Sequence, residues 1–175
     1  WHPLRNKSHG LNSERKCVSR AGLEKARFFL GMRFAVLVEG IEPAPQGSKT
    51  LGRYGTLRES CKRVKPWREA VKKEARASCT SSIQGPVRVA VEFRFRRPLA
   101  DYTAGGELKQ GVDRYYVKRK NDVDKCCRSL LDALTGIAFD DDCQVVDLHA
   151  IRRYCRPLER PGAFVVIESV LAYDG

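Results

Sequence analysis

Apolar and polar positions alternate most sharply at Val87, Val89, Val91, Phe93 and Phe95, set between Arg88, Ala90, Glu92, Arg94 and Arg96. A period of two puts one set on a buried face and the other on a mostly polar one, so this segment is predicted as a strand ended by Pro98. The apolar run Phe34–Val38 predicts an earlier strand, Arg33–Glu39. Two more are expected near Gln144–Tyr154 and Ala163–Val170, and Tyr115–Lys120 reads as a short fifth strand.

Two segments carry a helical period. Trp67, Ala70, Val71, Glu74 and Ala75 recur at i, i+3, i+4 spacing, with Pro66 in the first turn, giving a helix over about Lys65–Cys79. Cys127, Leu130, Leu131 and Leu134 form the apolar stripe of a second helix over about Asp124–Thr135, stopped by Gly136. Between these elements, Pro43–Lys49 is a rigid proline loop and Leu51–Lys62 an exposed basic loop. Ser78–Gly85 is a linker, and Asp101–Val112 a loop around Gly105-Gly106. The order is roughly β, α, β, β, α, β, β: an α+β domain with a mixed or antiparallel sheet and helices packed on it.

Met32 is the only methionine, and the residues before it are basic with little apolar periodicity. Residues 1–31 are therefore expected to be a non-native or disordered extension, and 32–175 the folded domain. A basic arm that binds a nucleic-acid backbone is the alternative. The 175 residues suit one domain with a real core. No apolar run is long enough to span a bilayer, so neither membrane nor secretion is expected. The seven cysteines form no C-x-x-C pair, which argues against a zinc site and a disulfide framework and for reduced thiols in the cytoplasm.

Charge changes the picture. The net charge is +12, which suits a polyanionic partner, above all nucleic acid. Yet Asp122 and Asp124 stand at the entrance of the second helix, and Asp140, Asp141 and Asp142 at the entrance of the following strand. Gathered carboxylates repel one another unless a cation sits among them. Hard oxygen ligands fit Mg²⁺ or Mn²⁺ rather than zinc. In phosphodiester cleavage such an ion polarises the phosphate and activates water, and Arg128, sharing a helix face with Asp124 and Asp132, can offset charge in the transition state. Asp132 is read as a partner for Arg128. For binding phosphate, the candidates are Lys49, Arg53, Arg58, Lys62, Arg63, Lys118, Arg119, Lys120 and Lys125; Tyr54 can stack on a base. His2, His9 and His149 form no catalytic constellation, and no Ser/His/Asp, phosphate-loop or dinucleotide-binding pattern occurs.

The run Asp122-x-Asp124-x-x-x-Arg128-x-x-x-Asp132-Ala133-Leu134-x-Gly136, followed by Asp141-Asp142-x-Gln144-Val145, resembles the RusA family of Holliday junction resolvases. The loop Pro43-x-Pro45-Gln46-Gly47-Ser48-Lys49, Trp67-Arg68 and Arg97-Pro98 are similar to it too, so the resemblance covers roughly residues 34–170. It implies a Mg²⁺-dependent homodimer that cuts symmetric strands of a four-way DNA junction and needs no small-molecule cofactor. Asp122, Asp124, Asp141 and Asp142 would match the family's metal-binding acids; Asp122, Asp124, Asp142 and Arg128 would be the catalytic set. The sequence departs at Asn121, where the family usually has proline, at Lys125, where it has asparagine, and at Arg128, where it has lysine. Arginine keeps the charge but not the compact ammonium. A relative that binds branched DNA without cutting it, or a basic structural protein, are the alternatives.

Overall fold

The computed structural model describes residues 31–47, 49–51, 57–59 and 61–170 of the chain, with backbone alone for 49–51 and 57–59. Arg53, Tyr54, the side chains of Lys49 and Arg58, and all but the last residue of the expected 1–31 extension lie outside the described residues.

Four strands form the main sheet: β1 (Arg33–Glu39), β4 (Val87–Phe95), β5 (Val145–Tyr154) and β6 (Gly162–Ser169). Their spatial order is β1-β6-β4-β5. β6 is antiparallel to both neighbours, and β4 and β5 run parallel. The sheet is thus mixed, as the α+β reading expects. Val36 and Val38 of β1, Val87 to Phe95 of β4 at alternate positions, and Ala163, Val165 and Ile167 of β6 are buried on one face. Removing a fully buried side chain such as Phe93 would cost about 3–5 kcal/mol.

Two helices cover that face. α1 (Val64–Ser78) buries Val64, Trp67, Val71 and Ala75, each three or four residues on from the last. α2 (Val123–Leu134) buries Cys126, Cys127, Leu130, Ala133 and Leu134. It ends where Gly136 takes a φ of 76°, a conformation glycine adopts at little cost. The chain then returns through Phe139, bridged to Ile83, into β5. Ile83 is fully buried, so the linker of small polar residues contains a core anchor.

Two expectations need correction. The span from Leu51 to Lys62 is not all loop: β2 (Lys49–Leu51) and β3 (Leu57–Glu59) pair as an antiparallel hairpin. Tyr115–Lys120 is not a strand. Only Tyr115 bridges, to Arg153. The segment meets the end of β5 through Tyr116 N–H to Arg152 O and Tyr154 N–H to Arg114 O, and then turns away into Asn121, so no ladder can extend.

α2 and β5 run in opposite directions along the sheet. The N-terminus of α2 lies at the C-terminal end of β5, because the Arg152 guanidinium donates to the Asn121 carbonyl at 2.6 Å. This arrangement decides where the acidic residues can meet.

Candidate functional site

Asn121 sets the entrance of α2. Its φ of 60° is tolerated by asparagine and closed to proline, whose ring fixes a negative φ. The residue is buried and tied on three sides. Arg63 Nη2 donates to its Oδ1 at 2.9 Å, its Nδ2 donates to the Tyr116 hydroxyl at 3.2 Å, and Arg152 holds its carbonyl.

Asp122 rather than Asp124 occupies the N-cap, and its side chain caps nothing. It instead accepts from Lys125 Nζ at 2.6 Å. That hydrogen bond and the ammonium charge hold the Asp122 carboxyl below the usual range, with a smaller contribution from Arg152. The Lys125 ammonium is raised by the same partner. Asp124, in the first turn, and Arg128, one turn on, are exposed on the helix. The helix N-terminus itself favours carboxylates there.

Asp132 is not a partner for Arg128. It accepts from Gln46 Nε2 at 2.8 Å and pairs with Arg68 Nη2 at 3.4 Å. The proline loop thereby docks on α2: Gln46 N–H also donates to the Lys125 carbonyl, and Gly47 lies so close that an added Cβ would sit 3.0 Å from Lys125 Cδ. Glycine at 47 lets the backbone pack on the lysine stem that reaches Asp122.

The second acidic element is a capped turn. Asp141 accepts from Cys143 N–H at 2.9 Å, while Gln144 Oε1 accepts from the N–H groups of Asp140 and Asp141. Gln144 Nε2 then donates to the carbonyls of Ile83 and Gly85, tying the turn to the strand entrance of β4. The Cys143 N–H holds the Asp141 carboxyl low. Asp140 is held low by Ser82 Oγ and Gln84 Nε2, so it serves the turn. Asp142 is exposed beside it.

The two elements are brought to opposite ends of one strand. From Val145 to Arg152, β5 extends about 23 Å at about 3.3 Å per residue. From Asp124 to the end of α2, the helix rises about 15 Å. Oxygen ligands lie only about 2.0–2.6 Å from a Mg²⁺ or Ca²⁺ ion. Among the described residues no three of His, Cys, Asp or Glu are placed to hold a metal. Asp122 and Asp124 thus share one end and Asp141 and Asp142 the other; within one chain they do not fit a single ion.

Of the basic candidates, Arg119, Lys120 and Lys125 line a groove with Asp122, Arg63 and Pro45. Lys118 is exposed just before them. Sequence reasoning missed Arg152, which braces Asn121. Its signal was its register: paired with Phe93 of β4, it occupies an otherwise apolar alternation. The nearby thiols are not nucleophiles. Burial pushes Cys126 up to about 12 and Cys127 up to about 11, far from thiolate at neutral pH.

No helix among the described residues is long and apolar enough to cross a membrane. A search of curated protein sequences finds no match to the chain. The family described as Endodeoxyribonuclease RusA matches residues 40–168, a span that takes in the proline loop, both helices and both acidic elements. The chain belongs to the RusA family of endodeoxyribonucleases, enzymes that resolve Holliday junctions.

Proposed function

We propose that the protein cuts four-way DNA junctions as a homodimer, with Mg²⁺ or Mn²⁺, and that each metal site draws carboxylates from both protomers. The observation that carries this reading is the Arg152–Asn121 hydrogen bond, which fixes Asp122 and Asp124 at the far end of β5 from Asp141 and Asp142. One ion cannot bridge that gap inside a chain. A twofold axis perpendicular to β5 supplies the missing half, because it places each end of one protomer's strand against the opposite end of the other's.

The edge of β5 ahead of its Tyr115–Arg153 bridge, unpaired among the described residues, suits such an axis. β5 is the outermost strand, and Val146 and Leu148 are apolar and exposed on its first half. Two β5 edges set antiparallel would carry Asp142 of one protomer toward Arg152, Asn121 and Asp122 of the other. The bound cation would supply phosphate polarisation and an activated water. The chain's own residues do the rest. Arg119, Lys120 and Arg63 hold the scissile phosphate by charge, and Arg128 offsets charge in the transition state. Paired, symmetric cuts follow from two sites related by the axis.

The test is a synthetic four-way junction incubated with Mg²⁺ and the full chain. Paired nicks at symmetric positions are expected. Folded protein that leaves the strands intact contradicts the reading.

A second reading, a relative that holds the junction without cutting it, is favoured by one observation. Lys125 already neutralises Asp122 at 2.6 Å, so a metal must displace that ammonium. The readings part on metal: cutting requires it, and binding alone does not.

A further inference from the structure

At the C-terminal end of β4 and β5 lies a groove that the cleavage chemistry does not use. It is lined by Arg96, Leu99, Tyr102, Arg156 and Leu158, among others. Leu99 is 89% exposed and Leu158 fully so, at 105%. A single exposed leucine needs no account. Two at the rim of one groove, with Arg96 and Arg156 beside them, are a different matter.

Leu158 is also strained. Its φ is 66°, a region that non-glycine residues enter at a cost. The loop is locked in that shape from beneath. The Glu159 carboxylate accepts from Arg156 N–H at 2.8 Å and from both Nη atoms of Arg153, which is itself almost wholly buried. Pro157 and Pro161 stiffen the flanks. An ion pair under the loop thus holds a fully exposed apolar tip in a strained conformation, with Arg156 and Arg160 exposed on either side.

The groove stands at the same end of the sheet as Asp122. Glu42 accepts from Arg96 N–H at 3.1 Å and from Arg63 Nη1 at 3.2 Å, and Arg63 holds Asn121. DNA whose phosphate reaches Asp122 is therefore within reach of the loop. Of the carboxylates near the groove, Glu42, Glu159 and Asp101 are already paired with Arg63, Arg153 and Arg97; Glu107 is exposed beside Gly106, and the exposed Arg96, Arg156 and Arg160 outnumber it.

The geometry points to a wedge: Leu158, with Leu99 opposite, inserts between bases at the open centre of the junction while Arg96 and Arg156 hold the flanking phosphates. Apolar wedges of this kind unstack base steps in DNA held by arginine. The inference rests on the junction reading above and assigns that reading a structure-selecting element.

The experiment uses a four-way junction with 2-aminopurine at the branch point, titrated with the full chain without divalent metal so that strands stay whole. The wild-type protein should bind the junction and raise the fluorescence as the base unstacks. Leu158→Ser should abolish most of that rise and weaken junction binding about five- to tenfold, the loss of one partly buried apolar side chain. Its thermal unfolding and its binding to linear duplex should not change, and Leu158→Met should retain the signal. A junction-bound wild type with no fluorescence rise, or a rise that Leu158→Ser leaves intact, overturns the wedge alone. A wild type that does not prefer the junction to duplex overturns the junction reading and the wedge with it.

Discussion

Lys125 Nζ lies 2.6 Å from Asp122 Oδ2, one turn apart at the mouth of α2. A carboxylate expected to hold a metal is thus already counterbalanced by the chain. Both groups are partly exposed, so the pair is weak in energy but direct in competition. Replacing the ammonium by the family's usual asparagine, Lys125→Asn, should lower the Mg²⁺ concentration for half-maximal nicking by about two- to fivefold, the range of exposed ion pairs. Metal titrations of the nicking rate for both proteins read this out. An unchanged or increased requirement would show that Lys125 does not compete for Asp122.

Gly162 begins β6 opposite Glu39, where a Cβ would lie 1.8 Å from the Val38 carbonyl oxygen. Backbone is in the way, so no rotamer relieves the clash. Gly162→Ala should cost about 2–3 kcal/mol through disruption of the β1–β6 ladder. That corresponds to a loss of roughly 5–10 °C in melting temperature for a domain of this size. Calorimetry checks it. A variant that melts with the wild type would mean that the β1–β6 register is not the one described.

Much of this fold was legible before any coordinates. The alternation at Val87–Phe95 and the period at Trp67, Val71 and Ala75 each became an element with nearly the expected ends, because a half-buried face imposes its period on the sequence. The hairpin of β2 and β3 was not legible, since its segment is polar and basic with no apolar alternation. The acidic residues were legible as types and not as an arrangement. Nothing local to Asp122 or Asp142 tells that α2 and β5 run antiparallel and carry them apart; that follows from a contact between Asn121 and Arg152, distant in sequence. Asp132 was misread for the same reason. Its partners, Gln46 and Arg68, come from the proline loop and α1 rather than from its own helix face.

The loop that carries Leu158 should be sensitive to acid. Arg153 holds the Glu159 carboxyl at about 2, below its ordinary 4.5. A carboxyl lowered on folding contributes stability that is fully present above its ordinary value and is lost as pH falls from about 4.5 toward about 2. Other acids titrate in the same window, so the informative quantity is the difference between wild type and Glu159→Gln. That difference in melting temperature should shrink steadily below about pH 4.5. A difference independent of pH would remove the ion pair from the account of the loop.

The composite metal site is the central claim, and mixing two inactive variants tests it most directly. Asp124→Asn and Asp142→Asn should each abolish junction nicking, with losses above about a hundredfold, while binding persists. If each site takes Asp124 from one protomer and Asp142 from the other, a mixed dimer has one doubly damaged site and one intact site. Equal amounts, exchanged and assayed on the four-way junction with Mg²⁺, should recover about a quarter of the wild-type sites, since half the dimers are mixed. Those dimers should leave single nicks in place of paired cuts. If both carboxylates serve the same site within one chain, no mixed dimer holds an intact site, and a mixture as inactive as its components would contradict the account.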